Sequence, residues 1–204
     1  MKRPLLVLAL AALAPPAHAQ LDYYGRLGLT GSSTLVRDVL FQPFETKQGL
    51  SPTLVAGTSI PVGTDNRLGI EAQLTSGSLS AETTGEGAES SADLGRLTTL
   101  SALANAEGAV TGPLRWRIGI GLIQYLPSEE AGLFAQGGPL RYFVGGGLDF
   151  RRPAFSSWDL MVSARYDFHR FTTEELRDRG FTQAQGVQRG SLTLGLARSR
   201  RIAP

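Results

Sequence analysis

Leu114-Arg115-Trp116-Arg117-Ile118-Gly119-Ile120-Gly121-Leu122-Ile123 is the stretch on which the fold turns. Leu114, Trp116, Ile118, Ile120 and Leu122 fall on one parity; Arg115, Arg117, Gly119 and Gly121 fall on the other. Consecutive side chains of a strand point to opposite faces, so this is a strand with one apolar and one polar surface. It has about the length that a tilted strand needs to cross a bilayer, roughly 9–11 residues.

Working outward, the same alternation recurs. Tyr23 to Gly31 sets Leu27 and Leu29 against Tyr24, Arg26 and Thr30. Thr53 to Val62 lines up Leu54, Ala56, Ile60 and Val62; Arg67 to Thr75 sets Leu68, Ile70, Ala72 and Leu74 against Arg67, Glu71, Gln73 and Thr75. Arg96 to Asn105 is ambiguous, because Leu97 and Leu103 share a face while Leu100 takes the other. Arg141 to Arg151, Trp158 to Phe168 and Gly190 to Ser199 complete a set of eight. Helical character is confined to Thr173 to Arg179.

The connections alternate as well. Those around Gly63–Asn66, Ala106–Pro113 and Arg152–Ser157 are short, and the other four are long and polar or Gly-rich. An even strand count with long loops at one end and short turns at the other predicts a closed antiparallel barrel. The expected fold class is therefore all-β: an eight-stranded, up-and-down transmembrane β-barrel with a polar interior.

Residues 1–19 read as an export signal. Lys2 and Arg3 precede an uncharged apolar run from Leu5 to Leu13, and Ala17-His18-Ala19 offers a small-x-small cleavage site. The mature domain is expected to be residues 20–204. Of 20 basic residues two leave with the signal, so 18 remain against 18 acidic ones. A neutral domain gives no footprint for nucleic acid. Cysteine is absent, which excludes disulfides and thiolate metal sites.

The polar parity carries Arg26, Arg67, Glu71, Arg115, Arg117, Arg141, Asp149, Arg151, Asp159, Arg165 and Asp167. In a membrane barrel these fill the lumen as a polar network; in a soluble periplasmic lipid-binding barrel they would form the wet exterior. Tyr23, Trp116, Tyr142, Phe150, Trp158, Tyr166 and Phe168 lie on the apolar parity, mostly near strand ends, as interfacial aromatic belts require. That placement favours the membrane barrel. Eight strands leave room for little beyond side chains, so the charges read as a structural core in preference to an anion path.

In this pattern the chain resembles the eight-stranded outer-membrane barrels typified by OmpX and the OmpA transmembrane domain. The resemblance spans nearly all of residues 21–199 and rests on alternation and topology. It implies a cell outer-membrane location after export and a structural or surface-interaction role without catalysis. It also implies outer-membrane lipid, lipopolysaccharide and the barrel-assembly machinery as partners, and a monomer. One departure is that Arg200-Arg201-Ile202-Ala203-Pro204 follows the last strand, where such proteins often end on an aromatic residue.

Two features invite chemistry. His169, the single histidine of residues 20–204, shares the inward parity with Asp167 and Arg165. A histidine oriented by a carboxylate can serve as a general base, so a lipid A-modifying hydrolase is the enzyme alternative. Ser163 is six residues away, about 20 Å along a strand, so Thr172 or a loop serine would have to be the nucleophile. The plain reading is a histidine capping the polar core. The second feature is acidic loops: Glu82 to Ser91, then Glu129 and Glu130, then Glu174, Glu175 and Asp178 beside Arg177 and Arg179. They read as flexible connections able to meet a surface ligand. They lack calcium-loop spacing, and no metal or other cofactor is expected.

Overall fold

The computed structural model describes residues 21–38, 44–85, 88–129, 132–178, 180–181 and 183–199. The export signal and the residues after Ser199 lie outside this set. The strands are β1 (Asp22–Ser32), β2 (Val36–Asp38), β3 (Phe44–Gln48), β4 (Ser51–Val62), β5 (Asn66–Gly85), β6 (Ala88–Thr111), β7 (Leu114–Pro127), β8 (Leu140–Phe155), β9 (Trp158–Phe171) and β10 (Gln185–Ser199). One short helix, α1, covers Glu174–Asp178, and a 3-10 turn covers Gly132–Phe134.

Eight of these close into a ring. The antiparallel order runs β1-β4-β5-β6-β7-β8-β9-β10, and β10 pairs back onto β1. Each of the eight alternating segments read from the sequence lies within one of these strands. Closure satisfies the backbone amides and carbonyls that an open sheet would leave at its edges.

The stagger of the ring follows from the registers. From Ala197 on β10, one row of partners passes through Tyr24, Gly57, Glu71, Leu103, Gly121, Phe143 and His169. It returns to β10 at Val187, ten residues from where it began. Such a shift requires tilted strands and sets the barrel's bore. The row therefore climbs from the short-turn end at Tyr24 to the loop end at His169.

The short turns are tighter than the sequence suggested. Gly112-Pro113 and Ser156-Ser157 are two-residue connections, and Gly112 (φ 47°) and Ser156 (φ 49°) adopt the left-handed backbone that tight hairpins favour. At the opposite end β5 and β6 run on for 20 and 24 residues, well beyond a bilayer-crossing length. Here the expectation of a flexible acidic loop at Glu82 to Ser91 is corrected. Thr83 pairs with Ser90, Thr84 with Glu89 and Gly85 with Ala88, so backbone hydrogen bonds extend the hairpin nearly to its tip. β3 docks along β5 from Phe44↔Thr83 to Gln48↔Leu79, and β2 pairs with β3. Lys47 joins Glu45 (2.9 Å) and Glu82 (2.8 Å) across this small sheet.

The outer wall is apolar. Leu27 is 66 % exposed and Ile120 68 %, and Leu29, Leu54, Leu68, Ile70, Leu74, Ile118, Val144, Leu192 and Leu194 are exposed as well. Leu100 belongs to this outward set, whereas Leu97 and Leu103 are buried inside, which resolves the ambiguous strand.

Candidate functional site

Glu71 is the centre of the interior. It sits on β5 with only 1 % of its surface exposed, and its carboxylate accepts from the guanidiniums of Arg26 (β1), Arg117 (β7) and Arg165 (β9). Tyr24 Oη donates to it at 3.1 Å. Room for that tyrosine comes from Gly57: a Cβ there would lie 2.4 Å from the Tyr24 ring and hydroxyl. Arg117 reaches Asp149 (2.5 Å) and Glu107 (2.9 Å) with its other nitrogen. Toward the short-turn end, Asp22 takes Arg67 (2.7 Å) and Arg151 (3.2 Å), while Glu107 takes Arg151 (3.5 Å) and Arg115 (3.9 Å). Arg165 also meets Asp167 at 2.8 Å and donates to Gln73.

Charges removed from water are tolerable only when paired and hydrogen-bonded. The Glu71 cluster draws side chains from six strands, β1, β5, β6, β7, β8 and β9, so the guanidiniums also tie distant strands together across the bore. Of the expected lumen residues, Arg26, Arg67, Glu71, Arg115, Arg117, Asp149, Arg151, Arg165 and Asp167 are brought into this web. Two are not. Arg141 lies at the loop-end rim and donates to the carbonyls of Leu140 (3.1 Å) and Thr172. Asp159 is half-buried at the short-turn end, with no ion pair among the described residues. Sequence reasoning missed Asp22 and Glu107, which sit at or just beyond the segment boundaries it drew. It also missed Arg189, which donates to Thr75 (2.9 Å) and Thr99 (3.0 Å).

Toward the loop end the interior changes character. Leu97, Leu103, Ile123, Tyr125, Phe143, Phe171 and Val187 point inward from the barrel strands. Leu35, Val36, Leu133, Phe134 and Leu176 close over them from the connections. Tyr125 meets Phe171 edge-on with ring centroids 5.0 Å apart, and Phe134 meets Phe171 at 6.0 Å. The expectation of a polar interior is corrected in part: polar groups dominate the short-turn half and the middle, around a small apolar cluster of Tyr24, Val55, Met161 and Ala197, and an apolar plug fills the mouth. Leu176 is delivered by α1, whose start is capped by Thr173 Oγ1 accepting from the Leu176 amide at 3.2 Å.

His169 is buried at the underside of that plug. Its Nε2 is hydrogen-bonded to Tyr125 Oη, and Asp167 engages Arg165 instead of the imidazole. The space beneath it, bounded by Ser101, Ile123, Phe143, Asp167 and Arg189, does not admit a water-sized sphere. Ser163 lies opposite Thr193 and Asp149, far down the strand, and Thr172 Oγ1 points to the Thr173 carbonyl. Among the described residues, His169 thus meets the Tyr125 hydroxyl, while Ser163 and Thr172 Oγ1 are directed elsewhere. Among the acidic candidates, Glu175 accepts from the Gln136 amide at 2.6 Å, and Glu129, Glu174 and Asp178 are exposed. Glu130 and Arg179 lie outside the described residues. No group of three or more metal-ligating side chains occurs among the described residues.

The aromatics of the outer parity divide by height. Tyr23, Trp116, Phe150 and Trp158 lie toward the short-turn end, and the Arg198 guanidinium stacks over Trp158 at 5.7 Å. Tyr142, 84 % exposed, lies with Tyr166 and Phe168 toward the loop end.

No protein-family model and no curated protein matches the sequence. Solved structures do match. The outer membrane protein OprG from Pseudomonas aeruginosa superimposes with a TM-score of 0.56 at 10 % identity, covering 89 % of this chain and 95 % of that one. Neisserial surface protein A gives 0.51 at 10 % identity, covering 87 % and 96 %. At such identity the likeness is one of fold, and the fold of this chain is that of the small outer-membrane β-barrels.

Proposed function

We propose that this chain is exported on residues 1–19 and resides in the outer membrane as a monomeric β-barrel. Its role is structural or one of surface interaction, without catalysis. The observation that carries the reading is the inversion of polarity: leucines and isoleucines on the outside, and Glu71 with its three arginines inside. Water is the wrong solvent for such a wall, and hydrocarbon is the right one. The short turns then face the periplasm and the β2–β3–β5–β6 sheet stands outside the cell. Outer-membrane lipid and lipopolysaccharide surround the wall, barrel-assembly machinery inserts it, and the loop-end carboxylates are available to a surface ligand.

The test is fractionation combined with folding. The mature protein is expected in the outer-membrane fraction and should fold only when lipid or detergent is supplied. Recovery as a folded protein from the soluble periplasm would overturn the reading. Lipid A mass profiles are expected to be the same with wild type and with His169→Ala; a His169-dependent loss of acyl chains would establish the hydrolase instead.

A further inference from the structure

We propose that the outer wall carries a seat for one phosphorylated acyl lipid of the outer leaflet; the proposal rests on the membrane reading above. Its body is a groove of about 940 Å³. It follows one hydrogen-bond row obliquely across five strands: Ile70 on β5, Ala104 on β6, Ile120 on β7, Val144 on β8 and Phe168 on β9. Four inter-strand steps of about 4.8 Å make it roughly 19 Å long. The concavity has a simple cause. Outward positions 102 and 104 of β6 are alanines, while the same face of the flanking strands carries Ile70, Ile120 and Leu122. Beneath it, on the inward parity, Gly121 leaves room for the Phe143 ring, which a Cβ there would meet at 2.6 Å.

An apolar slot alone would accept any hydrocarbon. Its upper mouth is what selects. Arg170, exposed on the outward parity of β9, and Arg141, at the start of β8, both line the groove at the loop end. Neither pairs with a carboxylate among the described residues; Arg141 is held at the rim by the Leu140 and Thr172 carbonyls, which leave its charge uncompensated. Glu174 and Asp178 of α1 are exposed, and no ion pair joins them to either arginine among the described residues. Cations at the hydrocarbon boundary favour anionic headgroups, and a guanidinium meets phosphate with paired, charge-assisted bonds. Acyl chain in the groove and phosphate at Arg170 and Arg141 is the arrangement that satisfies both ends.

The experiment is native mass spectrometry of the folded protein in detergent. It is given bisphosphorylated lipid A, the same lipid dephosphorylated, or phosphatidylcholine. Wild type is expected to retain one bisphosphorylated lipid and to lose it when the phosphates are removed. Arg170→Gln should weaken retention about tenfold. Ala104→Phe and, separately, Ala102→Leu should abolish it by filling the slot. Both face lipid, so folding, followed by the heat-dependent gel shift, should be unaffected. Equal retention by wild type and both filled variants, or retention indifferent to phosphate, overturns the seat while leaving the membrane barrel intact. A wild-type protein that never requires detergent overturns both.

Discussion

The two halves of the barrel interior solve one problem, filling a narrow bore, with opposite materials. Below, in the short-turn half, Glu71, Asp149, Glu107 and Asp22 are interleaved with Arg26, Arg117, Arg151 and Arg67, and every one of these side chains is rooted in a barrel strand. Above, Phe143, Phe171, Leu97 and Ile123 are covered by Leu35, Leu133, Phe134 and Leu176, which arrive from the connections. Ion pairs need partners held in fixed geometry, which the sheet's registers supply. Apolar contacts are non-directional and tolerate partners delivered by loops. The buried ion pairs among the described residues therefore all join residues of barrel strands, whose registers fix their geometry.

This contrast predicts its own failures. The largest effect is expected from Glu71→Leu, which removes the one carboxylate that three buried guanidiniums share. A loss of about 3–5 kcal/mol is expected in folding titrations into lipid vesicles. Glu71→Gln keeps an acceptor and should cost visibly less. A neutral Glu71→Leu would mean that the lower half is not held by charge. Next comes Ile70→Arg, which sets a charge on the lipid side near the midplane, at about 2–4 kcal/mol in the same titration. An undiminished variant would place that wall in water.

In the upper half, Leu176→Ala removes one loop-borne member of the plug. It should cost about 2 kcal/mol, toward the low end for buried leucines because a short helix can settle into the gap. Hydrogen exchange should show loosening confined to α1 and the mouth, with strand amides near Glu71 unchanged; loosening that spreads to β5 would erase the distinction between the halves.

The smallest effect belongs to the exposed sheet. Lys47, hydrogen-bonded to Glu45, holds that carboxyl below its ordinary value. Whatever the contact contributes is thus present above the ordinary carboxylate range and is lost as pH falls through the depressed value. Both groups are solvent-exposed, so Glu45→Gln should leave the thermal midpoint unchanged within error, at neutral pH and in acid alike. A measurable shift would show that the β2–β3 hairpin is part of the barrel's stability and not an attachment to it.

The lower half was legible in the sequence because its rule is parity. Leu114 to Ile123 announces a two-faced strand, and Arg117 and Glu71 fall inward by counting alone. The upper half obeys no local rule. Leu133, Phe134 and Leu176 are isolated apolar residues in polar connections, and nothing in their neighbourhood says which of them turns inward. Leu97 and Leu103 left β6 ambiguous because they are leucines opposed in parity to Leu100, while the inward direction of β6 is set by Thr99, Ser101, Asn105 and Glu107 on the parity of Leu97 and Leu103. The hairpin extension at Glu82 to Ser91 was hidden for a related reason. Its composition is that of a loop, and its strand geometry is supplied by tertiary pairing with β3 and with itself.

The ten-residue stagger also bears on how the protein comes into being. Pairing β1 with β10 sets Asp22 against Ser199 and Ser32 against Arg189, contacts between the two extremes of the described chain. The other barrel pairs join strands that follow one another, or nearly so, and can form as hairpins. The seam cannot begin until β10 exists, and it is correct only at one of many sliding offsets. Contacts of such sequence separation are slow to find. A single misaligned step would turn alternate side chains to the wrong solvent. The buried arginines of β1, β7 and β9, all seeking Glu71, give that search an end point: only the right offset lets all three reach it.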